Sequence, residues 1–562
     1  MRFGFGSMCG ITGIIGLEDK KILKKMTDAI SHRGLDDEGY FVDQGVSLGH
    51  RRLSIIDLSK GKQPIFNEDK SVVIVFNGEI YNYKELRHKL EGKHEFSTNT
   101  DTEVIVHLYE ERGIDFVKEL DGFFALAIFD LNKNIVVIAR DHLGIKPLFY
   151  SFVDNKLIFA SEMKAIFASG FVKPEFDSIG VREKFVFDDY TLDDQTLFKN
   201  IKSVPIGSTM VVDNSKEKIS FVINDFLGKN YFEHETSIDF ASSRVHEQLL
   251  ESVKSRLVSD VPLGTLLSGG LDSSIVAVLH REIVGDAEDV HTFSVTDGVG
   301  SEDSRKAKVV AEQINSIHHE FTFSFDDVIE SMPDYVYHLE DIEYGMIFNY
   351  FLTKQTKKYA TVVLSGNGAD EVFGGYDRYK EMAEFRKLRG SRVPVFESEK
   401  DRAYYFGEIN RIKNLKNFLS FEQDRGQLSN FQMVWVDRIS MAFGVEVRVP
   451  FLQRDLVNYV NSVQENLKIN DDIEKFVLRK AARMTNLPKE IADRPKLPAG
   501  LGNTTPQALP AFDKFAKKVM KNKNFPFKKY IRKPGKQLAF SLLNEIYING
   551  EKPDKISVSD FI

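Results

Sequence analysis

The chain contains a single cysteine, Cys9, close to its start between Met8 and Gly10. One thiol excludes an intrachain disulfide framework and any CxxC metal site, which leaves two uses for it: a small buried hydrophobe or a nucleophile. Further chemistry lies near the middle of the chain. The segment LLSGGLDSS, residues 266–274, reads as an apolar strand followed by Ser268, Gly269, Gly270, Asp272, Ser273 and Ser274, then by the helical run IVAVLHRE. Glycines let a backbone approach an anion, serines add hydroxyl donors, and the following helix turns unpaired N–H groups and its positive dipole end toward phosphate oxygens. The pattern lacks GxxxxGK[ST] and GxGxxG, so it is neither a P-loop nor a dinucleotide fingerprint. VVLSGNGADEVFGGY, residues 362–376, again sets glycines and acidic residues just after an apolar strand, where open α/β sheets bind ligands. Asp272 and Asp370 are candidates to share Mg2+ on a pyrophosphate. Lys475 in EKFVLRKAA and Lys496 in ADRPKLPAG are candidates to counter charge on that pyrophosphate as it departs.

Elements that would position these groups are visible in the texture of the chain. From residue 9 to about 225, short alternating or apolar runs such as SVVIVFNGEIYN, FFALAIFDLNKN and NIVVIARDHLG predict a β-rich layered domain. From about 238 the period changes. ASSRVHEQLLESVKSRL places Val245, Leu249, Val253 and Leu257 on one helical stripe, and LGTLL, VHTFSV and TVVL read as buried parallel strands between helices. The expected fold class is therefore α/β multidomain, with a domain over 9–225 and an α/β nucleotide-binding domain over 238–562. At 562 residues the chain is too long for one ordinary core. Hydrophobic residues at 42%, charged residues at 28% and a net charge of −8 suit a globular protein and give no support to a nucleic-acid partner. No long apolar run occurs, and Asp19, Lys20 and Lys21 interrupt the start before a signal-peptide core forms, so no membrane partner and a cytoplasmic location are expected. The charge-dense stretch from Arg378 to Arg402 reads as a solvated helix and loop surface.

The SGGLDSS loop resembles that of the PP-loop ATP pyrophosphatases, which cleave ATP to AMP and pyrophosphate. MCGITGIIG, SHRG, GHRRLSIIDLS, FNGEIYN, TDTEV and ARDHLGIKPLFY, in this order and spacing, resemble the class II glutamine amidotransferase domain, an αββα layered N-terminal-nucleophile hydrolase fold. The resemblance implies that Cys9 is the nucleophile and that its own α-amino group is the base. A thiol is a good nucleophile, and an α-amine with pKa near 8 suits proton transfer at neutral pH. It further implies that Arg52 pairs with the glutamine α-carboxylate and that Glu79 and Asp101 hold its α-ammonium. Leu53 and Ile55 would line the glutamine site, while Asn77 and Gly78 would supply the oxyanion hole.

A class II glutaminase followed by an SGGLDSS domain is the arrangement of the asparagine synthetase family, and RLVSDVPLG, VDRISMAFGVEVRVPFL and LPKEIADRPK resemble its later motifs. The implied reaction adenylates the β-carboxylate of aspartate with ATP, and ammonia from the other domain displaces AMP to give asparagine. Leu266, Val295, Ser365 and Gly366 would surround adenine and ribose, Lys475 and Lys496 would serve catalysis, and an internal passage would carry ammonia. Family members are often homodimers. The sequence departs from the pattern at four places. Cys9 follows the segment MRFGFGSM, so a free amine on Cys9 requires an active form that starts there. Asn367 stands where SG[ED]G carries an acid, EDIEYGMIF at 340–348 replaces a DPS-like segment, and Gln453 follows PFL where aspartate is usual. The acceptor thus stays open at this stage between aspartate and another carboxylate, such as a uronic acid of a glycan or a secondary metabolite.

Overall fold

The computed structural model describes residues 9–53, 61–187, 189–227, 235–296, 298, 301–393, 398–496, 508–521 and 523–558. Alternation in the first part of the chain resolves into two six-stranded sheets. The first runs, in spatial order, Lys202–Ser203, Phe149–Val153, Lys156–Ala160, Gly10–Ile15, Val46–Arg52 and Asp37–Asp43. The second runs Ser220–Asp225, Ser208–Asp213, Ile135–Arg140, Gly122–Asp130, Val72–Ile80 and Ile65–Phe66. Their pairings are antiparallel.

Period-two geometry sorts the side chains into layers. Ile11 and Ile15 point between the sheets, where Leu48, Val73, Ala127 and Ile138 meet them, whereas Ile14 belongs to the opposite layer with Met26, Ile30 and Ile166 of the flanking helices. On the far side of the second sheet, Ile74, Phe76 and Leu126 pack against Leu86, Val104 and Leu108 of the helices Tyr83–Leu90 and Asp101–Arg112. Helix, sheet, sheet, helix is the αββα sandwich expected. FFALAIFD reads as a continuous apolar run because its strand is covered on both faces: all of Gly122–Asp130 is buried.

The second part is built on a five-stranded parallel sheet in the order Ile317–Thr322, His291–Thr296, Leu263–Leu266, Val362–Leu364, Glu446–Arg448. Strand order reverses beside Leu263–Leu266, and the crevice outside the carboxyl ends of strands at such a switch point is where open α/β sheets take ligands. The helical stripe lies where the spacing placed it: Val245, Leu249 and Val253 of Ile238–Arg256 are fully buried, and Leu257 follows as the capping residue. Two strands escaped the sequence reading. IHHEFT is a half-exposed edge strand with no apolar alternation, and Glu446–Arg448 is three residues long with a charge at each end. The Arg378–Arg402 stretch also differs from a purely solvated surface, since Arg378 is clamped by both carboxylate oxygens of Glu422 at 3.0 and 2.8 Å, and Phe385 is buried.

The two parts share one core. Ile14, Met26, Phe123 and Ile158 of the sandwich belong to the same buried cluster as Val245, Ile275, Val436 and Phe451. No described helix is long and apolar enough to cross a membrane.

Candidate active sites

Cys9 is buried at the entrance to the strand Gly10–Ile15. Its thiol faces the carbonyl of Leu53 at 4.0 Å, and burial pushes it up to about 12. A thiol so disfavoured as thiolate needs a base beside it at the moment of attack. Its backbone carbonyl accepts a hydrogen bond from Arg33 Nε at 3.1 Å, which fixes the start of the strand. Asn77 and Gly78 lie side by side on the strand Val72–Ile80. Both polar atoms of the Asn77 side chain are buried without a hydrogen-bond partner, a costly state that a bound carbonyl oxygen would relieve at Nδ2. A Cβ on Gly78 would stand 2.1 Å from the Phe123 carbonyl oxygen, so only glycine fits there.

Arg52, Glu79 and Asp101 are nearly fully buried, at 6% exposure each. Asp101 opens the helix Asp101–Arg112, accepts the Ile80 N–H at 2.9 Å and is pushed up to about 6 by burial. Burial, with Asp101 and Glu446 nearby, also raises Glu79, although Arg448 Nη2 stands 3.6 Å away. Two crowded acids of this kind favour an arriving ammonium. Leu53 is fully buried and packs on Met441. Ile55 lies outside the described residues, as do residues 1–8. With Asn77 as the oxyanion donor that the resemblance implies, Asn77→Ala should lower kcat for glutamine hydrolysis by about 10²–10³ with little change in ammonia-dependent synthesis; steady-state assays with glutamine and with ammonia separate the two.

At the switch point of the parallel sheet a cavity of about 600 Å3 opens. Leu266, Val295, Ser365 and Gly366 line it. Ser268, Gly270, Asp272 and Ser273 form the loop and first turn of the helix Leu271–Val284, and the Ser268 and Ser273 hydroxyls are 3.0 Å apart. Gly269 turns that loop at φ +77, and a Cβ there would lie 2.5 Å from the backbone nitrogen of Ala307. A Cβ on Gly366 would meet the Ser273 nitrogen at 2.7 Å, so the two glycine-rich loops touch backbone to backbone.

Charge is concentrated in the same cavity. Lys475 Nζ lies 2.5 Å from Asp272 and 2.5 Å from Asp370, and Lys496 Nζ lies 2.8 Å from the second oxygen of Asp370. Those two ammonium groups hold the Asp370 carboxyl well below the usual carboxylate range. Asp272 Oδ1 is buried without a hydrogen-bond partner, which leaves a hard oxygen donor beside the loop that carries Ser268 and Gly270. Gly375, of FGGY, makes this packing feasible: a Cβ there would stand 2.0 Å from both Asp370 Oδ1 and Lys475 Cε. Gly375→Ala should therefore displace both groups and lower pyrophosphate release about 10²-fold or more while glutaminase activity stays unchanged.

One helix reaches both sites. Met433–Met441 sets Trp435 in the cavity wall and Asp437 on Arg33, which donates to its two carboxylate oxygens at 2.7 and 3.2 Å and to Glu162 at 2.8 Å. The same Arg33 holds Cys9. Residues 8–222 match a glutamine amidotransferase domain, and residues 244–541, more than half of the chain, match asparagine synthase. The chain belongs to the asparagine synthase family. It is 35% identical over 545 residues to asparagine synthetase [glutamine-hydrolyzing] 2 of Bacillus subtilis, covering 87% of this chain and 71% of that one. It is 36% identical over 471 residues to a putative asparagine synthetase 2 of Methanocaldococcus jannaschii, covering 77% and 87%, and 30% identical over 516 residues to asparagine synthetase B of Escherichia coli, covering 87% and 81%.

Against the motifs of the asparagine synthase family, the departures occupy different places. Asn367 lines the cavity, with its Oδ1 accepting from the Ser365 hydroxyl. Gln453 lies at the seam between the two parts and donates to Asp121 at 3.3 Å. In the 340–348 segment, Glu340 caps the helix Met163–Ala168 by accepting the Met163 and Lys164 N–H groups, and it pairs with Arg438 at 3.0 Å. Only Met346 and Phe348 of that segment line the cavity. The sequence reading missed Arg33, Glu162 and Asp437, and also Arg494, which donates to the Gly269 carbonyl at 3.0 Å and to Asp303 at 2.5 Å. All but Glu162 sit in the SHRG, VDRISM and ADRPK segments, yet their partners are remote in sequence.

Proposed function

We propose that this chain is a glutamine-dependent asparagine synthetase, a carbon–nitrogen ligase. Cys9 Sγ attacks the amide carbon of glutamine and gives its proton to the Cys9 α-amine, which passes it to the leaving ammonia. Water then releases glutamate. The Asn77 side-chain amide and the Gly78 N–H bind the oxyanion, Arg52 pairs with the α-carboxylate, Glu79 and Asp101 hold the α-ammonium, and Leu53 and Ile55 belong to the glutamine-binding set. In the second part, spanning 238–562 beside a glutaminase part spanning 9–225, the β-carboxylate of aspartate attacks the α-phosphorus of ATP and pyrophosphate leaves. Ammonia arriving through the protein displaces AMP, and asparagine is formed with loss of one proton.

Within the cavity, Leu266, Val295, Ser365 and Gly366 hold adenine and ribose, while Ser268, Gly269, Gly270 and Ser273 cradle the phosphates. Lys475 and Lys496 counter charge on the leaving pyrophosphate. The donor set at Asp272 and Asp370 fits Mg2+, which supplies charge neutralisation to the pyrophosphate when bound. Asn367 is an amide and takes up no proton, so its role is confined to hydrogen bonding.

The observation that carries this reading is the helix Met433–Met441, which forms part of the nucleotide cavity and also grips the arginine that holds Cys9. The named relatives favour aspartate over another carboxylate as acceptor. Isotope transfer tests the chemistry. Aspartate carrying 18O in its β-carboxylate should deliver one labelled oxygen to AMP; label in inorganic phosphate, accompanied by ADP, would replace adenylation with acyl-phosphate chemistry.

A further inference from the structure

On the outer surface of the sandwich, away from the residues given roles above, four side chains converge: Glu68, His94, His107 and Glu110. They come from three separate pieces of chain. His107 and Glu110 are three residues apart on one face of the helix Asp101–Arg112, His94 follows the helix Tyr83–Leu90, and Glu68 sits in the turn between the strands Ile65–Phe66 and Val72–Ile80. Each offers one ligand atom, and these atoms all lie within 4.8 Å of one another.

The spacing has a specific value. Four ligands at the ~2.0–2.1 Å typical of Zn–N and Zn–O bonds stand about 3.3 Å apart along the edges of a tetrahedron. His94 Nδ1 is 3.2 Å from Glu68 Oε1 and 3.5 Å from Glu110 Oε2, and His107 Nδ1 is 3.1 Å from the same Glu110 Oε2 and 3.6 Å from Glu68 Oε2, so Glu110 presents one oxygen to both rings and Glu68 one to each. Both imidazoles thus turn the same ring nitrogen toward both carboxylates. Their remaining nitrogens, His94 Nε2 and His107 Nε2, are buried without a hydrogen-bond partner and face further carboxylates, Glu111 at 3.5 Å and Glu103 at 3.9 Å. A carboxylate behind a ligating histidine is the usual outer arrangement of such centres, since it fixes the ring and raises its basicity. The carboxylates are oriented too: Glu110 Oε1 accepts from Asn67 at 2.7 Å, and Glu68 Oε1, the oxygen facing His94, also accepts the Glu95 N–H at 2.8 Å. Entry from solvent is open, because the Glu68 and Glu110 side chains are 31% and 25% exposed while His107 is fully buried beneath them.

We propose that Glu68, His94, His107 and Glu110 bind one divalent transition-metal ion, Zn2+ or a cation of similar preference, as a structural cross-link. Two imidazoles with two carboxylates suit Zn2+ and disfavour Mg2+ or Ca2+, which take oxygen ligands. The ion would pin the 67–71 turn and the His94 loop to the helix whose first residue is Asp101.

Calorimetric titration of chelator-treated full-length protein with Zn2+, in excess Mg2+ to cover Asp272 and Asp370, tests this. One Zn2+ per chain is expected, with a raised Tm. Loss of an outer-shell partner costs about 10–100-fold in metal affinity, so His94→Gln, which removes a ligand at a part-exposed position, should cost at least the upper end. His291→Gln, in another close histidine pair, 2.9 Å from His319, should change nothing. His107→Asn should behave as His94→Gln, with circular dichroism confirming that each variant is folded. No Zn2+ bound at one equivalent, or undiminished affinity in folded His94→Gln, would overturn the proposal.

Discussion

Cys9→Ala should lose glutamine hydrolysis by at least about 10⁴-fold and yet make asparagine from ammonia at a rate within about twofold of the native chain, since a nucleophile's contribution is of that order and the second site is untouched. The buried thiol dictates a further signature. Because burial pushes Cys9 up to about 12, the reactive thiolate is not stored in advance, and its proton must go to a neutral amine. Protonating that amine stops the reaction, so glutaminase kcat/KM should rise with pH until about 8, the ordinary range of an α-amine, and ammonia-dependent synthesis should not share that limb. A chain retaining residues 1–8 has no free amine on Cys9 and should be inactive as a glutaminase; intact mass and activity measured on the same sample decide this. Full glutaminase activity with those residues attached would remove the amine from the mechanism.

Asp370→Asn is the counterpart in the second site. Asp370 is gripped by Lys475 at 2.5 Å and Lys496 at 2.8 Å, and replacing it by an amide takes that carboxylate from Lys496 and leaves Lys475 with Asp272, while removing one of the two carboxylates suited to Mg2+. Breaking a buried ion pair from one side costs about 3–5 kcal/mol. Pyrophosphate release should fall about 10³-fold with either nitrogen source, and glutaminase activity should persist. Chelation of Mg2+ should reproduce the same split in the native chain. Equal loss of both activities would mean that the substitution had damaged the shared core rather than the site.

The architecture was legible in the sequence wherever burial is uniform along an element. The helical stripe of Ile238–Arg256, the fully covered strand Gly122–Asp130 and the strand–loop–helix around Gly269 each follow from local pattern, because each element's environment repeats along its length. The edge strand Ile317–Thr322 and the three-residue strand Glu446–Arg448 were not legible, since nothing local distinguishes them from loop: their strand state comes from neighbours that supply hydrogen bonds. The candidate sites divide in the same way. Cys9, Arg52 and Asp272 are marked by motifs, and the resemblance they carry reached the family now identified. Arg33 and Asp437 are 404 residues apart, and their pairing exists only once the sandwich and the parallel sheet share a core. Asn367 shows the converse, a departure that the sequence displays plainly and the cavity accommodates with hydrogen bonds between Asn367 and the Ser365 hydroxyl.

The central claim is that one chain moves the amide nitrogen of glutamine onto aspartate at the expense of ATP. Incubating the protein that begins at Cys9 with amide-15N glutamine, aspartate, ATP and Mg2+, in a bath of unlabelled ammonia, tests it most directly. The account predicts 15N-asparagine together with AMP and pyrophosphate, with label well above the level set by the ammonia in solution. Glutamate formed without labelled asparagine, or asparagine carrying only unlabelled nitrogen, would contradict it.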